Sequence, residues 1–208
     1  MKKKIALMFV LGLTLACNKS GEKHHLKKTD SISLRNSKKI RNDVTKEKIL
    51  KQKNDKILQI LKNKDYKSFT SLIHPEKGIR FSMYALIDIK NDKHFSRENF
   101  EKHQNSGELF IWGIKNGSGD LYKVKINDYL NEWVYSKDFI NSQYSLNKFS
   151  GKTNTNLKNL YPKNDFTENH FWGTEKYGDI GWRKIWFVFE KFQDKYYLIA
   201  VINDQWAI

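Results

Sequence analysis

Two apolar runs at the C-terminal end of the chain constrain its fold more than any other stretch. The segment GWRKIWFVFEKFQDKYYLIAVINDQWAI, residues 181–208, contains two runs rich in aromatic and β-branched residues, Trp182–Phe189 and Tyr196–Ile202. A polar turn, Gln193–Lys195, separates them. This pattern predicts an antiparallel β-hairpin with two long strands.

Both faces of the predicted hairpin carry large apolar side chains. Because successive side chains alternate along a strand, Ile185, Phe187 and Phe189 share one face. Trp186 and Val188 share the opposite face. A hairpin that is apolar on both sides needs helices over one face, and a second cover or a ligand cavity against the other.

The first 16 residues, MKKKIALMFVLGLTLA, have the layout of a secretory signal peptide. Three lysines precede an apolar run from Ile5 to Ala16. This run is shorter than the roughly 20 residues that a helix needs to span a bilayer. We therefore expect cleavage of this segment, and no uncut membrane anchor.

Cys17 is the only cysteine of the chain and directly follows the apolar run. Its placement resembles the lipobox of bacterial lipoproteins, although leucine stands four residues before the cysteine, at Leu13, and Thr14 occupies the usual leucine position. The resemblance implies that Cys17 receives a diacylglycerol, and an acyl chain such as palmitate, and becomes the new N-terminus. Ordinary cleavage after Ala16, which would leave a free thiol, is the alternative.

Residues 17–42 hold few apolar side chains and no phenylalanine, tyrosine or tryptophan. Such a segment cannot bury enough surface to offset the entropy lost on ordering. We expect it to be a disordered tether between the lipid and a single domain over residues 43–208. His24 and His25 are adjacent and lack a second pair of ligands at metal-binding spacing, so we expect neither a metal nor a cofactor.

The formal charge of +15 raises the question of an anionic partner such as nucleic acid. The positive charge is spread along the whole chain and no recognisable reader motif occurs, so we expect no nucleic-acid partner for an exported protein. The lipid anchor predicts a membrane-bound protein of the cell envelope, outside the cytoplasm. Asn18 and Lys19 stand where an acidic residue retains some lipoproteins at the inner membrane, which favours the outer membrane of a Gram-negative bacterium.

Periodic patterns predict an α+β domain in which N-terminal helices pack on a curved, mixed or antiparallel sheet. Apolar residues at helical spacing indicate a helix over Thr45–Lys62, and Asp65 is a candidate N-cap for a short second helix that Pro75 ends. The next predicted elements are a strand over Ile79–Ile89 and a helix over Arg97–His103 that Ser96 caps. A strand over Glu108–Ile114, a loop over Lys115–Asp120 and a helix capped by Asn127 follow. The polar stretch Lys137–Glu168 indicates a broken helix or an edge hairpin.

Two resemblances extend this picture. The opening ILQILKNKDYKSFTSLIHP before a strand, together with the closing hairpin, resembles NTF2-like and SnoaL-like cone folds. The stretches HPEKGIRFSMY, IWGIKNGSG and WFVFEKFQDKYYLIAVINDQW resemble a group of uncharacterised bacterial exported proteins and lipoproteins. The second resemblance covers most of residues 64–208 and brings no established activity.

The cone resemblance implies a pocket between the curved sheet and the first helices, and several enzymes of that superfamily use Asp, His and Tyr inside it. Asp204 and His74 are the candidate acid and base, because a carboxylate beside apolar groups has a raised pKa. The alternative for Asp204 is a strand-end carboxylate that bonds to a turn amide or pairs with Arg80 or Arg183. The alternative for His74 is a helix-terminal residue bonded to backbone. The candidate ligand-binding residues are Trp206, Tyr84, Arg80 and Trp186, although the tryptophans could equally form core or a sugar-stacking surface.

Three functional hypotheses remain open from the residues alone. The first is an envelope lipoprotein that binds a small ligand, a glycan or a protein partner without catalysis, and it is the one we favour. The second is a small hydrolase, isomerase or dehydratase that uses Asp204 and His74. The third is an inhibitor or immunity-type protein that masks an envelope partner.

Overall fold

The computed structural model describes residues 29–173 and 181–205, with side chains described from residue 43 onward. The predicted signal peptide, Cys17 and Trp206 lie outside the described residues. The chain divides into two units, Met1–Arg41 and Asn42–Ile208. The described strands all belong to the second unit.

The first helix, α1, runs from Thr29 to Lys62. It begins 16 residues before the predicted start at Thr45, so part of the predicted disordered tether has helical backbone. This stretch contains neither glycine nor proline, the two residues that most oppose a helix. Its later turns bury the apolar residues whose spacing predicted the helix, Leu50, Ile57, Ile60 and Leu61.

Four shorter helices follow: α2 Tyr66–Thr70, α3 Arg97–Gln104, α4 Ile126–Tyr129 and α5 Leu157–Leu160. Two of the predicted caps are confirmed, because Asp65 accepts a hydrogen bond from Ser68 N and Ser96 accepts one from Asn99 N. The predicted cap at Asn127 is wrong. Helix α4 begins at Ile126 and continues as a π-helical turn, Leu130–Val134, while the Asn127 side chain donates to Gln104 O.

The strands form two sheets. They are β1 Ile79–Ser82, β2 Lys93–Phe95, β3 Phe110–Ile114, β4 Leu121–Val124, β5 Gln143–Leu146, β6 Asp165–Phe171, β7 Arg183–Phe192 and β8 Lys195–Gln205. The larger sheet has the order β2-β1-β8-β7-β6-β5, and only its β1–β8 pair is parallel. β3 and β4 form a separate antiparallel pair. The α+β class with a mixed sheet is therefore confirmed.

The predicted C-terminal hairpin, β7–β8, lies in the middle of the larger sheet. A two-residue turn at Gln193 and Asp194 joins the strands, and both residues have positive φ, 46° and 61°. That geometry is the type I′ turn, whose twist matches that of the flanking strands. The register is Trp186 opposite Ile202 and Lys184 opposite Asp204, with an irregularity between Val188 and Phe189.

The two faces of this sheet have separate cores, as the alternation along β7 predicts. We call the side of Ile185, Phe187 and Phe189 the helical face, because apolar residues of α1 to α4 pack in the same cluster. We call the side of Trp186 and Val188 the second face, where a smaller cluster forms. Its cover comes from the β1–β2 connection and from the chain around α5, through Ala85, Ile87, Phe149, Leu157, Leu160 and Tyr161. A second cover, and not a ligand cavity, closes this part of the sheet.

Two predicted segments differ from the structure. The strand predicted over Ile79–Ile89 ends at Ser82, because the chain then leaves the sheet and makes a turn in which Lys90 N and Asn91 N donate to Asp88 Oδ1. The stretch Lys137–Glu168 contains an edge strand, β5, as one of the two predictions proposed. It also contains the start of β6, an interior strand that the sequence did not indicate.

Candidate functional site

An open groove of about 680 Å³ lies between the β1–β2 connection and the β3–β4 hairpin. We call it the groove. Four aliphatic side chains, each between 43% and 61% exposed, line it: Leu86, Ile111, Ile114 and Leu121. Asp88 and Asp92 lie on the wall formed by the β1–β2 connection. The volume falls in the range of small-molecule sites, roughly 300 to 1,000 Å³.

The β3–β4 hairpin is held against the end of β1 by an aromatic anchor and a glycine. The Trp112 ring stacks on the Tyr129 ring at 3.7 Å with an interplanar angle of 5°, and its Nε1 donates to Val124 O at 3.0 Å. At Gly113 a Cβ atom would lie 2.9 Å from Met83 Sδ. Only glycine lets the β3 backbone come this close without displacing the Met83 side chain.

Tyr84 ties the two walls of the groove together. Its hydroxyl donates to Ile114 O at 3.1 Å and accepts from Asn116 N at 2.9 Å. Its ring meets the Trp133 ring edge-on at 5.7 Å. Tyr84 was a predicted ligand-binding residue, and the structure places it in the groove lining.

The other wall of the groove is the β1–β2 connection, which a turn at Asp88 and the Arg80 side chain hold in place. Hydrogen bonds from the Asn91 side chain and from Lys90 N lower the pKa of Asp88. Burial raises the pKa of Asp92, although bonds from Ser82 and Asp88 N and the nearby charge of Arg80 oppose this. Arg80 donates to Ile89 O and Asp92 O. This predicted ligand-binding residue therefore clamps the β1–β2 connection behind the groove.

A second group of polar residues lies on the second face of the sheet. We call it the polar row: Glu168, His170, Lys184 and Asp204. His170 is opposite Lys184, which is in turn opposite Asp204. Glu168, His170 and Lys184 are each at most 4% exposed, so each needs a bonded partner.

Ser150 supplies partners to three members of the polar row. Its backbone N donates to Glu168 Oε1 at 2.8 Å, and its carbonyl accepts from Lys184 Nζ at 2.7 Å. A hydrogen bond of 2.7 Å joins Ser150 Oγ and His170 Nδ1. Glu168 Oε2 also accepts from Trp186 Nε1 at 2.7 Å. These hydrogen bonds hold the segment around Ser150, which covers the second face, against the sheet.

Burial disfavours the charged form of two members of the polar row, and so it shifts their pKa values in opposite directions. Burial, assisted by the nearby Lys184 ammonium, lowers the pKa of His170 to about 4. Burial raises the pKa of Asp204 to about 6, although Lys184 opposes the shift. His170 is therefore neutral at pH 7, and Asp204 titrates within the range expected of a general acid or base.

The structure does not bring the predicted acid and base together. His74 N donates to Leu198 O, whereas Asp204 lies six residues further along β8, about 20 Å away at the rise of an extended strand. His74 Nδ1 accepts hydrogen bonds from Glu76 N and Lys77 N, so the alternative of a residue bonded to backbone is confirmed. The predicted position at a helix end is wrong, because α2 ends at Thr70. The opposing neighbour of Asp204 in the sheet is Lys184 and not one of the predicted arginines.

Trp186, a predicted ligand-binding residue, is fully buried in the second face, so its ring belongs to the core. The groove residues Ile111, Ile114 and Leu121 were missed. The one sequence signal for Ile111 and Ile114 is the uncharged run Leu109–Ile114 beside a glycine-rich turn, and Leu121 directly follows that turn. Glu168 and His170 were missed because polar residues interrupt the apolar pattern of β6.

Comparison with known proteins finds no matching family model, no matching curated protein and no matching solved structure. Within residues 29–173 and 181–205, no cluster of three or more His, Cys, Asp or Glu side chains could hold a metal ion. In the same part of the chain, no helix has the length and apolar character needed to cross a membrane.

Proposed function

We propose that this protein is an envelope-anchored binding protein that takes an amphiphilic ligand or partner in the groove, without catalysis. The observation that supports this most is the convergence of four half-exposed aliphatic side chains on one depression. Water-exposed apolar groups that cluster in this way mark binding sites more often than scattered surface residues do. The carboxylates of Asp88 and Asp92 bind the polar end of the amphiphilic ligand.

A neutral dye that fluoresces in apolar surroundings, Nile red, tests the groove directly. We expect saturable binding that Leu121→Asp weakens by about tenfold or more, because a charge among the aliphatic groups opposes burial of an apolar ring. Ile140→Asp is the matched control, since Ile140 is 39% exposed and does not line the groove. Equal dye binding by wild type and both variants, with unchanged circular dichroism, would refute the proposal.

The anchoring part of the proposal rests on Cys17 and the lipobox resemblance. Changing Cys17 to Ser should release the protein from the membrane fraction or block its processing. Fractionation of labelled cells would measure this, with Asn18→Ser as the control. A Cys17→Ser protein that remains processed and membrane-bound would contradict lipidation. The outer membrane of a Gram-negative cell is the proposed location.

We retain the NTF2-like cone as the proposed fold relationship. Helices over one face of a mixed sheet, with a long central hairpin, support it. A cone pocket would lie on the helical face, where Phe69, Phe81 and Phe100 pack against one another. The aromatic packing fills that position with side chains, so the proposed binding site is the groove at the margin of the sheet.

The inhibitor hypothesis uses the same groove, because an open depression can admit part of another protein. The enzyme hypothesis now depends on Asp204 without His74 as its direct partner. Asp204→Asn separates the readings: a binding protein should keep its dye affinity within about twofold, while an enzyme would lose turnover by orders of magnitude.

A further inference from the structure

Strand β3 is an edge strand that lacks two common protections, a charged residue and a proline. Within the part of the chain that the structure describes, it pairs with β4 alone, and the register shifts between Ile111 and Gly113. From Leu109 to Ile114 the chain carries no charged residue and no proline, and Leu109, Ile111 and Ile114 are between 43% and 56% exposed. Natural edge strands are usually blunted by lysine, proline or a cover, because unpaired N–H and C=O groups recruit other strands.

The unpaired edge of β3 faces the groove. Four consecutive residues of β3, Ile111 to Ile114, line the groove, whereas β4 contributes only Leu121. At the C-terminal end of this edge the Tyr84 hydroxyl bonds to Ile114 O and Asn116 N. A side chain thus provides there the hydrogen bonds that a neighbouring strand would provide.

Charge distinguishes between the possible occupants of this edge. Of the three charged residues that line the groove, two are the carboxylates Asp88 and Asp92 and one is Lys93, in a chain whose formal charge is +15. The groove therefore favours a basic side chain on the ligand. Residues 43–208 alone hold 27 lysines and arginines against 21 aspartates and glutamates, so a second copy of the domain would be repelled at long range.

We propose that the groove binds an extended peptide segment of another protein, which adds as a strand to the free edge of β3. This inference rests on the proposed function and specifies the ligand class. Main-chain hydrogen bonds to β3 supply affinity, and alternate side chains supply specificity. Aliphatic residues of the peptide contact Leu86, Ile111 and Leu121, and a lysine or arginine lies near Asp88 and Asp92.

A pair of peptides tests strand addition on the wild-type protein. The probes are fluorescein-labelled KVTVKV and KVPVKV, which have equal charge and similar apolar content. Because proline lacks the N–H and disfavours sheet pairing, we expect KVPVKV to bind about tenfold more weakly in fluorescence anisotropy. Equal affinity of the two peptides would overturn strand addition.

An edge-blocking variant provides the second measurement. Ile111→Lys places a charge on the edge and should weaken KVTVKV binding by about tenfold or more. Ile140→Lys is the matched control and should bind as wild type does. If Ile111→Lys unfolds by circular dichroism, the peptide pair still decides the question on the wild-type protein.

The remaining outcomes separate this inference from the proposed function. Dye binding in the groove without any binding of KVTVKV would overturn the peptide proposal and leave the groove as a small-ligand site. If the wild-type protein binds neither the dye nor KVTVKV, both the peptide proposal and the proposed function are overturned. Concentration-dependent dimerisation in sedimentation, abolished by Ile111→Lys, would assign the edge to a second copy and also overturn the peptide proposal.

Discussion

The two faces of the six-stranded sheet are closed by different means. On the helical face, apolar and aromatic side chains of four helices fill the space, with Phe81 in contact with five other rings. On the second face, a smaller apolar cluster adjoins the polar row, whose bonds to Ser150 hold the cover in place. The first closure depends on buried area and the second on protonation states and bond geometry, so we expect them to respond to different perturbations.

The largest effect should come from the helical face. Phe81→Ala removes a ring that is 1% exposed and leaves a cavity among its aromatic neighbours. We expect the free energy of unfolding to fall by about 3 to 5 kcal/mol. Urea unfolding followed by circular dichroism measures this. A loss below about 1 kcal/mol would show that the helical face is loosely packed, and would remove the contrast between the faces.

A smaller effect should come from the second face through one hydrogen bond. Trp186→Phe keeps an aromatic ring but removes the Nε1 donor to Glu168 Oε2. A buried carboxylate oxygen left without this partner should cost about 1 to 3 kcal/mol. Trp172→Phe is the matched control, because Trp172 is exposed and its Nε1 bonds to the exposed Gln143. Equal unfolding free energies for the two variants would mean that this bond does not stabilise the second face.

The dependence of stability on pH should also come from the second face. The pKa of His170 is lowered to about 4, so the stability contributed by its neutral ring is fully present above the unfolded-state pKa of about 6.5 and is lost as the pH falls through about 4. The pKa of Asp204 is raised to about 6. Its contribution has the opposite sign: it is present below the unfolded-state pKa of about 3.9 and is lost as the pH rises through about 6.

These opposite signs make the two contributions separable by substitution. Between pH 6.5 and 4, His170→Asn should lose less stability than wild type, and Asp204→Asn should lose more. Thermal unfolding across this interval measures both, with the exposed His94→Asn as the control. Parallel stability curves for all four proteins would contradict the burial of His170 and Asp204.

The smallest effect should come from an exposed ion pair on α1. Lys51 Nζ lies 2.6 Å from Asp55 Oδ1, and both side chains are exposed to solvent. Because water and salt screen such a pair, we expect Lys51→Ala to change the unfolding free energy by about 0.5 kcal/mol or less. A loss comparable with that of Trp186→Phe would show that surface charge, and not the polar row, carries the electrostatic part of stability.

The sequence by itself determined the elements whose pattern is local. Alternation along β7 and β8, helical spacing in α1 and the caps Asp65 and Ser96 each depend on residues only a few positions apart. These features therefore predicted the hairpin, its two apolar faces and three of the helices. The extension of α1 to Thr29 was missed because that stretch has no apolar face to reveal it.

Tertiary structure alone decided which residues meet. β6 is an interior strand although its sequence is polar, because Asn54, Ser150 and Trp186 come from other parts of the chain to bond to its polar groups. The sequence suggested that His74 and Asp204 share one site, but His74 lies beside Leu198 of β8, six residues before Asp204 in that strand. The groove likewise forms where the β1–β2 connection passes the free edge of β3. A local sequence pattern does not predict which distant segments of the chain become neighbours.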